Sequence, residues 1–308
     1  MTKHVMNVAA SVGQRLRNLA RERNEDFALV LTKFGLERVL FRISQSKHRN
    51  IFVLKGALLF ELWTEQRYRA TRDADFLAKG ENTPERFIPI FKHICNMVVI
   101  DDGLRFDAKS VTAERITENA AYQGIRVNFI GHLDNARIPI QIDIGFGDVI
   151  TPSPQKAVFP TLLDFPAPKL LAYPKESVVA EKFEAMVSLG IANSRMKDFY
   201  DLWSLCRDFS FDGAVLSEAV QNTFARRETE LPRDAAPLVF TAEFYQDTNK
   251  KKQWIGFRNK NKRYMKQVSL EEVCLAIREF LMPVVEMLKK NERLEKIWAP
   301  SGPWKKSL

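Results

Sequence analysis

The chain has no apolar run near the ~20 residues needed to cross a bilayer. Its best candidate, Ile51 to Trp63, is broken by Lys55 and Glu61, so no membrane association is expected. The opening MTKHVMNVAASVGQR makes a poor export signal, because Asn7 interrupts its short apolar stretch. A cytoplasmic location is expected. Cysteine is scarce: Cys95, Cys206 and Cys274 lie far apart in apolar surroundings, which suits buried thiols in a reducing compartment and argues against a disulfide framework. Histidine is as sparse, and no Cys/His spacing resembles a zinc site. There is no internal repeat.

What the chain does have is an ordinary globular composition, with 308 residues, 45% hydrophobic and 28% charged. That length suits one large domain or two modest ones. Apolar spacing predicts helices over 8–46, a short buried strand at Ile51–Leu54, a turn at Lys55-Gly56-Ala57 and a helix from Ala57 to about Gln66. A strand over Arg69–Leu77, a helix over 84–99, and strands near Ile125–Ile130 and Ile138–Phe146 follow. Six of the 14 prolines then fall between Thr151 and Pro174, which reads as a connector or a loop wrapped on the surface. From Glu176 the pattern is helical, apart from an irregular stretch near Glu230–Lys252, with a capping box at Ser269-Leu270-Glu271-Glu272. The expected fold class is α+β, with a mixed sheet and flanking helices in an N-terminal half (1–165) and a helical C-terminal half (166–308).

The net charge of +9 is uneven, since from Asp247 onward 15 basic residues face 7 acidic ones. Lys250, Lys251, Lys252, Arg258, Lys260, Lys262 and Arg263 crowd there, with Trp254, Phe257 and Tyr264 between them. Cations release counterions from a polyanion, and interleaved aromatics stack on bases, so this stretch is a candidate RNA contact. The same pattern fits a solvated helix whose aromatics anchor it to a core.

The acids are more informative. Side chains alternate along a strand, so Thr71, Asp73 and Asp75 share a face, with the two carboxylates ~7 Å apart. In Ile140-Gln141-Ile142-Asp143-Ile144 the isoleucines take one face and Asp143 the other. Three carboxylates on neighbouring strands would make an all-oxygen site suited to Mg²⁺ first and Mn²⁺ second. The turn at Gly56 allows close approach of backbone to a phosphate. Farther on, Lys182 sits at the edge of the apolar stripe of one helix, where a snorkelling lysine is ordinary. Arg195 and Asp198 belong to a polar stripe on the next helix, which by itself reads as a surface ion-pair face.

Leu54-Lys55-Gly56-Ala57, Arg69-x-Thr71-x-Asp73-x-Asp75, Ala180-Glu181-Lys182-x-Glu184-Ala185-Met186 and Asn193-Ser194-Arg195-x-Lys197-Asp198-x-x-Asp201-Leu202, in that order, resemble the AbiEii/AbiGii toxin family. These are nucleotidyltransferase-like proteins of bacterial toxin–antitoxin and abortive-infection (phage-defence) operons, built on the DNA polymerase β-like superfold. The resemblance implies transfer of a nucleoside monophosphate from an NTP to RNA, notably the 3′ end of tRNA, with release of pyrophosphate. It implies Asp73 and Asp75 as the metal pair, Asp143 as third acid, Lys182 and Asp198 as catalytic, and Lys55, Gly56, Ala57, Arg69 and Thr71 as NTP contacts. Ala57 stands where Gly or Ser is usual, which leaves the turn its backbone amides. A cognate antitoxin encoded nearby is implied as partner. The alternatives are a small-molecule, antibiotic-type nucleotidyltransferase and a nucleotide- or RNA-binding module without catalysis.

Overall fold

A computed structural model describes residues 7–64, 69–119, 122–233 and 236–306. The chain forms two compact units, one comprising 1–147 and 155–172, the other 148–154 and 173–308. The expected boundary at 165/166 falls inside the first unit, in a segment that supplies two strands to its sheet.

The first unit contains α1 (Val8–Glu22), α2 (Phe27–Gln45), β1 (Phe52–Lys55), α3 (Leu59–Trp63), β2 (Asp73–Ala78), α4 (Pro84–Cys95), β3 (Leu104–Asn119), β4 (Tyr122–Leu133), β5 (Ala136–Phe146), β6 (Gln155–Val158) and β7 (Lys169–Ala172). Its sheet runs β3-β4-β5-β2-β1-β7-β6. The β2–β5 and β1–β7 pairs are parallel and the others antiparallel, so the sheet is mixed. One face is apolar and buried: Leu54, Ala74, Phe76, Val127, Phe129, Ile140, Ile142 and Ile144. Helix α4 sets Phe87 and Phe91 against Phe52 on that side, and Phe91 lies 5.9 Å from Phe129. Helix α2 approaches β5 at Gly35, where a Cβ would meet Ile140 at 2.8 Å. The opposite face is polar, and it carries the acids.

Three strands of the first unit were not legible from periodicity, nor were the short strands Phe211–Asp212, Lys296–Trp298 and Trp304–Lys306 of the second. β3 is a sheet edge, carries charges on both faces and shifts register between Asp107 and Thr112, which breaks its alternation. β6 and β7 are four residues each and lie in the proline-rich stretch. The expected strand from Arg69 begins only at Asp73, and the helix after Gly56 is five residues long; the rest of its expected span, 65–66, lies outside the described residues.

The connector is pinned to α2 by buried charge. Glu37 accepts from the Leu162 N–H at 2.7 Å, and Arg38 donates to the Pro166 carbonyl at 3.0 Å and to Asp102 at 2.9 Å. Burial pushes the Glu37 carboxyl up to about 7, outweighing the Leu162 N–H and the Arg38 charge. The native state then holds a proton that the unfolded chain releases near 4.5, so stability falls as pH rises across that window. Denaturant titrations should show a decline of at most about 3 kcal/mol, at 1.36 kcal/mol per pKa unit. Glu37→Gln should flatten it; an unchanged pH slope in that variant would remove Glu37 as its source.

The second unit contains α5 (Lys175–Leu189), α6 (Met196–Asp208), β8 (Phe211–Asp212), α7 (Gly213–Arg226), α8 (Ala242–Tyr245), α9 (Thr248–Lys260), α10 (Leu270–Lys289), β9 (Lys296–Trp298) and β10 (Trp304–Lys306). Phe183 packs on Phe224 and Phe240, and Phe280 on Phe211, Trp298 and Trp304. The capping box forms as expected: Ser269 Oγ accepts from the Glu272 N–H at 3.1 Å, and Glu272 accepts from the Ser269 N–H at 2.8 Å. All three cysteines are buried free thiols. No helix among the described residues is long and apolar enough to cross a membrane.

Candidate active site

On the polar face of the first unit, backbone pairing sets the charged side chains in rows. Arg126 of β4 lies opposite Asp143 of β5, Asp143 opposite Asp75 of β2, and Asp75 opposite Lys55 of β1. The signs across these four strands are plus, minus, minus, plus. The row beside it holds Asn128, Gln141 and Asp73, likewise in register. Residues paired in register share a face, so the strand pairing alone assembles the group.

Gly56 closes β1 at φ +73, in the left-handed region where a side chain is strained. A Cβ there would sit 1.9 Å from the Asp75 Oδ2. The turn thus depends on glycine twice over, for its backbone angle and for the Asp75 carboxylate pressed against it. Ala57 follows, buried, and α3 is too short for a helix-terminus effect to matter; the partly buried backbone at Gly56 is what remains for a phosphate. Asp73 accepts from the Thr71 hydroxyl at 2.5 Å. The Lys55 ammonium lies over Gly145, 3.7 Å from where a Cβ would be. Arg69 is partly exposed in irregular chain before β2.

Asp143 lies in register with Asp75 and is ion-paired on its other side. Arg126 binds both its oxygens, Nε to Oδ1 at 2.8 Å and Nη2 to Oδ2 at 2.7 Å, and the Gln141 amide adds contacts at 3.4 and 3.2 Å. The Asp143 hydrogen bond pushes Arg126 further above its ordinary value. Among the described residues, no three His, Cys, Asp or Glu side chains converge to hold a metal. Carboxylate oxygens such as those of Asp73 and Asp75 are of the kind Mg²⁺ prefers, with Lys55 opposite Asp75 and Arg126 opposite Asp143.

In the second unit, Lys182 of α5 bridges two buried acids of α6. Its ammonium lies 2.6 Å from Asp198 and 2.9 Å from Asp201, and Arg195 Nε reaches the other Asp198 oxygen at 2.6 Å. Burial alone would raise the Asp198 carboxyl; Lys182 and Arg195 outweigh it and hold it below the usual range. Both carboxylates are nearly inaccessible, at 1% and 0%, so the expected surface stripe is a buried ion cluster. Asn193 steers it, accepting from the Arg195 N–H at 2.8 Å.

A family model described as "Nucleotidyl transferase AbiEii toxin, Type IV TA system" matches residues 38–272, more than half of the chain. The chain belongs to the AbiEii family. Both ion clusters lie within the matched residues. No curated protein matches. Two solved structures are similar at a distance: one from H. pylori, designated a candidate nucleotidyltransferase, and JHP933 from Helicobacter pylori. Each is 13% identical with a TM-score of 0.47 and covers 85% of this chain, and 97% and 94% of their own lengths match respectively. A likeness at that TM-score carries no argument.

The basic segment is only partly what its sequence suggested. Lys251, Lys252, Lys260, Lys262 and Arg263 are exposed. Lys250, expected among them, is buried, donating to the Asn193 carbonyl at 2.9 Å with its ammonium 5.3 Å from the Phe244 ring centre. Trp254 is 2% exposed and donates its indole N–H to the Val268 carbonyl at 3.0 Å. Phe257 packs beside it and against Tyr200. Arg258 is half-buried and bonded to the Gln267 side chain. The aromatics anchor α9 to its own unit, and the exposed cations form the outer surface. Periodicity could not separate the two, because every side of α9 carries a polar residue.

Sequence reasoning missed Arg126 as the partner of Asp143. The alternation of Ile125, Val127 and Phe129 against Arg126 and Asn128 was the available signal. It puts both polar residues on one face, but only strand register says what they meet. A cavity of about 680 Å³ lies elsewhere in the first unit, lined by Lys33, Glu37, Glu61 and Trp63 among others, and none of the candidate site residues borders it.

Proposed function

We propose that this AbiEii-family chain transfers a nucleoside monophosphate from an NTP to an RNA acceptor, the 3′ end of tRNA being the form implied by resemblance. The observation that carries the proposal is the Asp75 carboxylate held against the Gly56 turn, with Asp73 on the same face. Acid and glycine turn belong to different elements, and the β1–β2 register, with Asp75 opposite Lys55, brings them together. A divalent cation on Asp73 and Asp75 would neutralise phosphoryl charge as an acceptor hydroxyl attacks the α-phosphorus and pyrophosphate leaves.

The chain's own groups do the rest. Thr71 holds Asp73 through its hydroxyl, which fixes one oxygen and leaves the other to a metal. Lys55 offers a cation at the end of β1, and the Gly56 turn offers backbone amides for the phosphates. Arg69 is assigned a supporting phosphate contact. Lys182 is assigned to charge on the triphosphate, and the 2.6 Å hydrogen bond that it donates to Asp198 supports an orienting role for that acid. Exposed Lys251, Lys252, Lys260, Lys262 and Arg263 supply a polyanion surface, and an antitoxin would be the natural partner.

The test is incubation of the protein with each α-labelled NTP, Mg²⁺ and total cellular RNA, followed by sizing of the product. Label should enter RNA of tRNA length and depend on Mg²⁺. Labelling of a cationic small molecule instead of RNA would favour the antibiotic-type alternative. Absence of transfer to any acceptor would favour a binding module.

A further inference from the structure

We infer that Lys250 is a positioning residue for Lys182. Its buried ammonium, carried by the helix whose outer cations would meet a polyanion, holds the loop that aims the Lys182–Asp198 pair. This role presupposes the nucleotidyl-transfer reading, in which Lys182 meets the triphosphate.

A run of hydrogen bonds within the second unit joins α9 to that pair. The Lys250 ammonium donates to the Asn193 carbonyl at 2.9 Å. The Asn193 side-chain oxygen accepts from the Arg195 N–H at 2.8 Å, at the residue that precedes α6. Arg195 Nε donates to one oxygen of Asp198 at 2.6 Å, and Lys182 Nζ donates to the other at 2.6 Å. Asn193 is the junction. It is 1% exposed, and its own N–H donates to the Gly190 carbonyl at 3.1 Å, so backbone and side chain are both tied.

Lys250 is an unlikely choice for filling space. Burying an ammonium is unfavourable unless it is paired. Its neighbours here are a carbonyl and the Phe244 ring, 5.3 Å away, and no carboxylate among the described residues pairs with it. An apolar side chain would occupy the same volume with less penalty, but only a donor on a long stem reaches the Asn193 carbonyl. Helix α9 also packs on α6 through Phe257 against Tyr200. Loss of the Lys250 bond would therefore leave α9 docked and release the 193–195 loop alone. Arg195 and Asp198 would then hold Lys182 less tightly in place, and a charged group displaced by about 1 Å can lose on the order of 10²-fold in rate.

The run Lys250-Lys251-Lys252 is thus divided. The first faces inward and the next two face water. Three surface contacts would act alike on RNA, whereas a positioning lysine acts on turnover and leaves RNA affinity to its neighbours.

The experiment is a steady-state assay of label transfer from NTP to RNA by the full chain, giving kcat and KM. The variants are Lys250→Met, Lys250→Arg, Asn193→Ala, the Lys250→Met/Asn193→Ala pair and the Lys251→Ala/Lys252→Ala pair. RNA binding is measured beside it across a range of salt concentrations, and thermal melts confirm each fold at the assay temperature. Lys250→Met should lower kcat about tenfold, the size expected for one hydrogen bond from a charged donor. Its slope of log binding against log salt should match wild type. Lys250→Arg, which keeps a cationic donor, should recover most of the loss. Asn193→Ala should fall by about the same tenfold, and the pair with Lys250→Met by no more, because both act on one route. Lys251→Ala/Lys252→Ala should instead raise the KM for RNA and flatten the salt slope by about one per lost contact.

The inference is overturned if folded Lys250→Met keeps kcat within about twofold of wild type, or if it flattens the salt slope as an RNA contact would. It is equally overturned if the Lys250→Met/Asn193→Ala losses multiply to about a hundredfold. Should Lys250→Met not fold, Asn193→Ala decides by the same two readouts. Wild type that transfers label to no acceptor is a separate result: it removes the nucleotidyl-transfer reading, and this role with it.

Discussion

Asp73→Asn is expected to lower nucleotide transfer by on the order of 10³-fold or more, with the protein still folded. A metal on a transferring phosphoryl group supplies several kcal/mol of charge stabilisation, and each 1.36 kcal/mol is tenfold in rate. The fold should survive for local reasons. Asparagine keeps an oxygen to accept the Thr71 hydroxyl, and the position is only half-buried. Removing one negative charge from a face that also carries Asp75 and Asp143 relieves repulsion, so the melting temperature should be unchanged or slightly raised. Transfer assays with labelled NTP, run beside thermal melts, check both halves. Undiminished labelling would take Asp73 out of the chemistry.

The second large effect is on stability. Lys182→Met is expected to cost about 3–5 kcal/mol, the range for removing one partner of a buried ion pair. Two carboxylates that are almost wholly inaccessible would lose the ammonium between them, and Arg195 would remain on Asp198 alone. The effect has a pH signature. Lys182 and Arg195 hold the Asp198 carboxyl below its ordinary range, so its contribution is full at neutral pH and is lost as pH falls through that lowered value. In Lys182→Met the acids should titrate higher and become neutral sooner on acidification. The gap between wild type and variant should therefore narrow as pH drops from 7 toward 4, the region in which carboxylates protonate. Denaturant midpoints across that range give the measurement; a variant as stable as wild type at pH 7 would mean the cluster contributes nothing net. Lys182→Arg, which keeps the charge, separates loss of charge from loss of shape.

The three acids of the sheet were legible because strand alternation is a local property. Ile140, Ile142 and Ile144 announce a buried face, and Asp143 then has only one other side to occupy. The same logic placed Thr71, Asp73 and Asp75 together. What it could not supply was register. That Asp75 neighbours Asp143, and that Arg126 lies opposite Asp143, depends on how separate strands slide against one another. Lys182 and Asp198 were invisible to periodicity for a related reason: an ion pair between two helices looks, in each helix separately, like a residue at the edge of a stripe. They entered only through resemblance. Lys250 and Trp254 show the converse, since a run of cations around an aromatic looks like an open surface until the packing of α9 turns two of its members inward.

The pairing of β2 with β5 has one more implication. Displacing either strand by a single residue would turn Asp143 or the Asp73–Asp75 couple under α2 and α4 and push isoleucines or Phe76 out into water. Misalignment is thus rejected by the greasy side of the sheet before it can ever misplace the chemistry on the other. The isoleucine ladder serves as the ruler by which the carboxylates are measured out, and a substitution that blurs its marks would be felt first on the far side, as lost turnover in a protein that still folds.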